Sequence, residues 1–273
     1  MSRHPFDLLM ELNGRYIRLD CAALHLSHDL DPWIDVNAYL RQLDDLAQQV
    51  SACRPGLTAT LRYQAMREVL VEQNEFTGDP QDSYNPVNSY LHRVLDQRVG
   101  VAIPLAIIWI ETARRLKWPV RGVALPGQFL VRFDDPERFV LADPFDDGRT
   151  LSIDDCRQSL HEHFDGEIQF SSAFLEPIGT RAILSRMLNT LRRIYLASRD
   201  WSTLATVLRR LLAVEPRNGK HLKDLAAVFA RVGNMRGAYA LLKLYLKSRP
   251  NVDDEDLIRT SLARLEAAIV ALN

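Results

Sequence analysis

The spacing of apolar residues predicts helices across residues 6–75. Between Trp33 and Ala47 the apolar side chains recur every three or four positions, which places them on one face of a helix. The sequence Arg54-Pro55-Gly56 interrupts this pattern, and a second apolar stripe runs from Leu61 to Leu70. Residues 74–86 are rich in Gly, Pro, Asp and Asn, which favours a loop. We therefore expect a helical beginning that ends in a polar loop.

The most apolar stretch of the chain runs from Val99 to Ile110 and is closed by Glu111. It is much shorter than the roughly 20 residues that a membrane-spanning helix needs, so no membrane is expected as a partner. Pro104 suits a first helical position, because its missing N–H would be unpaired there in any case. We predict a buried central helix from Pro104 to Trp118, preceded by a helix from near Asn88 to Gly100.

Beyond this helix the pattern changes to short β-branched and aromatic segments separated by turn residues, which predicts strands. The last two segments are separated by residues 134–137, a loop of hairpin length. If Phe133 pairs with Arg138 across this loop, the register places Gln128 opposite Asp143. The three predicted strands are Val120–Leu125, Gln128–Phe133 and Arg138–Ala142.

A domain boundary is expected near residue 178. Ser152 and Asp155 have the spacing of a helix-capping pair, which predicts one more helix near the end of the first domain. The segment 175–179, which contains a proline and a glycine, then separates the domains. We assign residues 1–178 to the first domain and residues 181–273 to the second.

The second domain repeats itself with an offset of 34 residues. Large apolar residues and a closing proline recur at this offset, which is typical of tetratricopeptide repeats. Each repeat buries its apolar face only by stacking on a neighbour, so a helix over residues 253–271 is expected to cap the two repeats. The matching positions are Leu188 with Leu222, Leu191 with Leu225, Tyr195 with Phe229, Asp200 with Asn234, Trp201 with Met235, Leu208 with Leu242 and Pro216 with Pro250.

The net charge of −1 conceals opposite charges in two parts of the chain. Residues 1–180 carry 17 basic and 27 acidic side chains, whereas residues 181–249 carry 15 basic and 3 acidic ones. This asymmetry suggests different partners for the two parts. Three cysteines without paired spacing, and a start without a continuous apolar segment, favour a reducing, cytoplasmic location.

Four segments together resemble the bacterial SirB-type proteins. The resemblance implies an α+β fold, in which a helix-rich transglutaminase-like (papain-like) domain with a small antiparallel sheet precedes all-α tetratricopeptide repeats. It covers most of the chain, and its motifs occur in the order that the family has. The four segments are NSYLHRVLDQRVG at 88–100, ETARRL at 111–116, VRGVALPGQFLVRF at 120–133 and VLADPFDDG at 140–148.

The resemblance also implies a catalytic triad that this chain does not keep. Enzymes of this type need a cysteine where the central helix begins, because the helix dipole stabilises a thiolate there. That position lies within Ala102–Leu105, which includes Pro104 and offers no nucleophile. The histidine position holds Gln128, whose amide accepts no proton near neutral pH, and the aspartate position holds Asp143. We expect a degenerate, non-catalytic site of Pro104, Gln128 and Asp143, in which Asp143 accepts a hydrogen bond from Gln128.

Cysteines and histidines elsewhere suggest two other chemistries. Cys21, His25 and His28 are spaced to share one helix face and could hold zinc, but no fourth ligand lies near them in the sequence. We expect a partly solvated helix face there, with no metal and no cofactor. Cys21, Cys53 and Cys156 are expected to be incidental thiols, and a low pKa in any of them would instead support an enzyme.

The basic repeats offer a binding surface. The resemblance places Arg186, Asn189 and Arg193 of one repeat, and Lys220 and Lys223 of the next, on the concave face of the stack. Clustered cations in a groove favour carboxylates and phosphates, so an acidic protein or peptide segment is the partner expected first. Nucleic acid is the alternative, although no aromatic–basic stacking pattern is present. The repeats could also dock on the chain's own acidic first domain.

These observations lead to three hypotheses of function. The first is a non-catalytic adaptor or regulatory protein with a degenerate pocket and a basic groove for an acidic partner. The second is a thiol-dependent hydrolase or acyl transferase with an unrecognised nucleophile, which a low thiol pKa would favour. The third is a nucleic-acid-associated regulator, which binding that weakens steeply with salt would favour.

Overall fold

The described residues up to Gln73 form four α-helices, a 3-10 turn at Gly14–Tyr16 and a π-helical turn, in agreement with the apolar spacing. The computed structural model describes residues 4–82, 84–249 and 253–271. The Asp35 side chain accepts a hydrogen bond from the Asn37 N–H at 2.9 Å and so caps the third helix. The elements are α1 (Pro5–Leu9), α2 (Leu19–Ser27), α3 (Val36–Ala52), α4 (Ala59–Arg67) and the π-helical turn Glu68–Gln73.

The predicted central helix is α6 (Ala102–Arg115), which follows α5 (Leu91–Gln97). Its residues from Ile103 to Trp109 are buried, as the apolar run predicts. The helix begins before Pro104, so Pro104 is its third residue and the predicted start was wrong. The proline fits there because the first four N–H groups of a helix have no partner within the helix.

The polar loop before α5 contains a short strand that its composition did not indicate. β1 (Thr77–Gly78) pairs in parallel with β2 (Val99–Gly100), immediately before α6. The Asp79 N–H continues this pairing and donates to the Gly100 carbonyl at 3.2 Å. Two residues are too few to show an alternating pattern, so β1 is recognised only by its pairing with β2.

Four antiparallel strands form the predicted small sheet, but the hairpin register differs from the expected one. Asp134 pairs with Phe139, so Phe133 faces Val140 and not Arg138. The cause is the Asp135 carboxylate, which accepts N–H bonds from residues 137 and 138 and moves the turn one residue along the chain. In sheet order the strands are β3 (Val120–Val123), β4 (Leu130–Asp134), β5 (Phe139–Asp143) and β6 (Arg149–Leu151).

The sheet packs against α7 (Ile153–His163), whose capping box is confirmed. The Ser152 hydroxyl accepts the Asp155 N–H at 3.1 Å, and the Asp155 carboxylate accepts the Ser152 N–H at 2.7 Å. Cys156 then points into an apolar core that one face of the sheet covers. Its buried members are Val123, Leu125, Leu130, Leu141, Leu151, Cys156 and Leu175.

The chain divides into an N-terminal unit (Met1–Met187) and a C-terminal unit (Leu188–Asn273), and the division falls within α8 (Thr180–Ala197). The repeat is visible in the helix caps of the C-terminal unit. The side chains of Asp200 and Asn234, 34 residues apart, each accept an N–H bond from three residues further on, at 3.0 and 2.9 Å. The helices are α9 (Trp201–Val214), α10 (Gly219–Arg231), α11 (Met235–Ser248) and α12 (Glu255–Ala271).

The apolar positions of the repeat are buried in pairs, as the 34-residue offset predicts. The helix expected over residues 253–271 is α12, which packs on α11 and buries Ile258. Pro216 lies between α9 and α10, whereas Pro250 lies outside the described residues. The buried pairs are Leu188 with Leu222, Leu191 with Leu225, Tyr195 with Phe229, and Leu208 with Leu242.

A buried ionic network joins α2 to α6. The Asp20 side chain is fully buried and accepts bonds from Arg18 at 2.6 Å and from Arg115 at 2.8 Å. Glu111, which is also buried, accepts from Arg114 at 2.6 Å and from Arg115 at 3.2 Å. Burial opposes ionisation of Asp20, but the bond from Arg18 and the charge of Arg115 outweigh it and lower the pKa of Asp20 to about 2. Asp20 is therefore ionised and neutralised inside the protein.

Candidate functional site

The position expected for a nucleophile is the first turn of α6. Its residues are Ala102, Ile103, Pro104 and Leu105, of which the last three are buried. The N-cap residue is Val101, whose side chain makes no capping bond and whose N–H donates to the Asn88 carbonyl at 2.9 Å. No side chain of this turn can attack a carbonyl group or hold a proton.

Gln128 lies in the turn between β3 and β4, outside both strands. Its N–H donates to the Leu125 carbonyl at 3.0 Å, and its side-chain oxygen is buried with no hydrogen-bond partner among the described residues. Gly127 has a φ of +83°, a backbone conformation that glycine adopts readily. The expected hydrogen bond from Gln128 to Asp143 is not found in the described part of the chain.

Asp143, at the end of β5, instead shapes the loop that follows it. It is buried, and its Oδ1 accepts the Phe145 N–H at 2.9 Å. Its carbonyl accepts the Gly148 N–H, also at 2.9 Å. Burial raises the pKa of Asp143, although the bond from Phe145 opposes the rise. Asp143 thus occupies the position of a catalytic aspartate while its contacts stabilise a turn.

The loop after Asp143 is held from two sides. The Thr77 hydroxyl donates to the Asp147 carboxylate at 2.7 Å, and the Tyr63 hydroxyl donates to the Gly148 carbonyl at 2.9 Å. Gly78 lies so close to the loop that a Cβ atom there would collide with the Phe145 carbonyl oxygen. This close approach explains why the short strand β1 carries a glycine.

The three cysteines provide no activated thiol. Burial raises the pKa of Cys21 and that of Cys156 to about 11. The pKa of Cys53 is also raised, although that residue is exposed. A catalytic thiol needs a lowered pKa, because the thiolate is the nucleophile. Within the part of the chain that the structure describes, none of the three thiols therefore has the lowered pKa of an activated nucleophile.

Cys21 and His25 lie on α2, and His28 is the C-cap residue directly after this helix. The rings of His25 and His28 stack with their centroids 5.9 Å apart. Among residues 4–82, 84–249 and 253–271, no group of three His, Cys, Asp or Glu side chains is arranged to hold a metal ion.

His92 on α5 is a buried ionisable residue that our sequence reasoning did not single out. Only 1% of it is exposed, and its ring lies edge-on to Tyr39 and Tyr90. Neither ring nitrogen has a hydrogen-bond partner in the described residues. Burial, assisted by the charge of Arg93, lowers the pKa of His92 to about 4, so the ring is neutral at pH 7.

The predicted groove residues lie on two helices in different environments. Arg186, Asn189 and Arg193 lie on α8. Burial lowers the pKa of Arg186, whereas the Arg193 side chain is exposed. On α10, Lys220 is exposed. Lys223 is half-buried and is bound within the C-terminal unit. Its ammonium pairs with Asp254 and lies 5.0 Å from the centre of the Tyr245 ring.

Known families match both parts of the chain. A family model of the transglutaminase-like superfamily matches residues 37–189, and one of the tetratricopeptide repeat matches residues 191–263. A UPF0162 protein of Xylella fastidiosa is 31% identical over 270 residues, which cover 95% of this chain and 94% of the relative. The chain belongs to the UPF0162 family. The expected family architecture and the α+β fold are thereby confirmed.

Other relatives share less of the chain. A UPF0162 protein of Pseudomonas aeruginosa is 31% identical over 196 residues, or 71% of each chain. F-box only protein 21 of Homo sapiens is 29% identical over 135 residues, which are 46% of this chain and 20% of that protein. No solved structure matches the chain. None of the described helices has both the length and the apolar character needed to cross a membrane.

Proposed function

We propose that this UPF0162 protein is a non-catalytic adaptor whose repeats bind an acidic protein segment. The observation that carries the proposal is the first turn of α6, which holds Ile103, Pro104 and Leu105 where a nucleophile would be needed. Gln128 supplies no base, and Asp143 is engaged in its own loop. We regard the transglutaminase-like site as degenerate and its domain as a scaffold.

The charges of the repeats support the second half of the proposal. Arg193 and Lys220 are exposed cations on the first helices of the two repeats. Cations of this kind favour carboxylates through charge-assisted hydrogen bonds. The pairing of Lys223 with Asp254 argues that Lys223 stabilises the unit, so we rest the groove on Arg193 and Lys220. Three free cysteines support a cytoplasmic setting, which is part of the proposal.

Affinity capture with the full chain tests the proposal. The test variant carries Arg193→Glu and Lys220→Glu, and the control carries Arg199→Glu and Arg264→Glu, which cause the same change in net charge at exposed positions. We expect one acidic protein to be retained by the native chain and by the control, and to be lost from the test variant. Retention of the same proteins by all three chains would refute the groove. Capture that nuclease treatment abolishes would favour the nucleic-acid hypothesis.

A further inference from the structure

Three helices of the C-terminal unit carry little negative charge. α9, α10 and α11 carry eight Lys and Arg residues and a single carboxylate, Asp224. That carboxylate accepts a bond from Arg192 at 2.6 Å, so it is already neutralised. The remaining acids of the unit lie in the turns and in α12. The positive charges of these three helices therefore outnumber the negative charges within them.

One face of α11 collects these charges in a row. Arg236, Ala240, Lys243 and Lys247 follow at intervals of four, three and four residues, which keeps them on one side of a helix. All four are exposed. Beside them Leu244 leaves 51% of its surface exposed. The opposite side of α11 buries Ala238, Leu242 and Tyr245.

The two lysines of the row are not bound to a carboxylate within the described residues. The Lys243 ammonium lies 4.8 Å from the centre of the Tyr239 ring, and its interaction with the Tyr239 hydroxyl raises the pKa of Lys243. Lys247 makes no ion pair in the described part of the chain. Both side chains are exposed and can be reached by an anion from outside.

We propose that this row on α11, centred on Lys243, Leu244 and Lys247, docks an acidic amphipathic helix of a protein partner. Lys243 and Lys247 are about 6 Å apart along the helix axis, which is also the spacing of carboxylates at i and i+4 of a partner helix. Leu244 lies beside them, and an apolar side chain of the partner would bury its exposed surface. A nucleic-acid backbone has the charge but offers no such group, so the half-exposed leucine favours a protein.

This inference rests on the proposed function in one respect, namely that the C-terminal unit binds acidic protein. The inference assigns the binding to α11, which is the second helix of its repeat. The proposed groove of Arg193 and Lys220 lies on α8 and α10, which are the first helices of the two repeats. Variants on α11 and variants in the groove therefore test the two surfaces separately.

Two labelled synthetic peptides of identical composition test the inference by fluorescence anisotropy with the full chain. The first places Glu at i, i+4, i+7 and i+11 with a leucine beside them on the same helix face, and the second scatters the same residues around the helix. A single-stranded oligonucleotide of equal charge is the third probe. The chains are the native protein, Lys243→Glu with Lys247→Glu, Leu244→Ser, and the groove variant Arg193→Glu with Lys220→Glu.

We expect the native chain to bind the first peptide more tightly than the second. The double lysine variant should lose about tenfold in affinity, and Leu244→Ser about threefold to tenfold. The groove variant should bind this peptide as the native chain does. Equal binding of both peptides, tighter binding of the oligonucleotide, a loss confined to the groove variant, or no binding of any probe would each overturn the inference. A loss confined to the groove variant would leave the proposed function intact.

Discussion

The two units of this UPF0162 protein use charged side chains in opposite ways. In the N-terminal unit, Asp20 and Glu111 are buried and bonded to arginines of α6. In the C-terminal unit, Lys243 and Lys247 lie exposed on α11, a helix that carries no carboxylate. A buried ion is costly unless its partners are kept, whereas an exposed cation contributes little to stability. The comparison teaches that the buried charges of the first unit maintain its fold, whereas the exposed lysines of α11 in the second unit contribute little to stability.

Removal of a buried partner should have the largest effect. Asp20→Ala leaves Arg115 largely buried beside Arg18 without their shared carboxylate, so the N-terminal unit should lose about 3–5 kcal/mol of unfolding free energy. Hydrogen exchange of the α6 amides in the full chain measures this loss. Asp45→Ala, at an exposed position, should change it by less than about 0.5 kcal/mol. Similar values for both variants would contradict the division between structural and available charge.

Acid should reveal His92, another buried ionisable group of the same unit. The pKa of His92 falls from 6.5 to about 4 on folding, so the unfolded chain takes up a proton first. Stability should therefore be fully present above pH 6.5 and should decline as the pH falls towards 4, by about 2–3 kcal/mol in total. His92→Phe should remove this part of the pH dependence of unfolding in urea. An unchanged pH profile in the variant would show that other groups cause the decline.

The loop after β5 should distinguish a structural aspartate from a catalytic one. Asp143→Ala leaves the Phe145 N–H without its acceptor and should cost about 1–2 kcal/mol, seen as faster hydrogen exchange in residues 145–148. Asp143→Asn keeps an oxygen at the same place and should restore most of the protection. If both variants lose protection equally, the negative charge of Asp143 has a role beyond this bond.

The smallest effect is expected in the C-terminal unit. Lys243→Gln with Lys247→Gln removes two exposed charges that make no ion pair among the described residues, so the unfolding free energy should stay within error of the native value. Urea unfolding of the full chain measures it. A clear destabilisation would mean that these lysines support the fold, and it would weaken the case for an available surface on α11.

Elements that depend on neighbours in the sequence were predictable. The apolar run of α6, the capping box of Ser152 and Asp155, and the equivalence of Asp200 with Asn234 all follow from spacings of a few residues or from a fixed offset. Helix caps and helix faces are local, because the groups involved lie within one or two turns of each other. The absence of a nucleophile from the first turn of α6 could be predicted for the same reason, because this turn is a continuous segment of the sequence.

Contacts between distant segments were decided only by the tertiary structure. The strand β1 was defined only by its pairing with β2, in which Thr77 faces Val99. The hairpin register was missed although its cause is local, because the Asp135 carboxylate accepts N–H bonds from residues 137 and 138. Lys223, predicted for the groove, became bound to Asp254.

The sequence by itself determined the order of the elements, the repeat and the opposite charges of the two parts. The folded chain determined which of those charges are neutralised, because only packing sets the distance between an ion and its partner and the water around them.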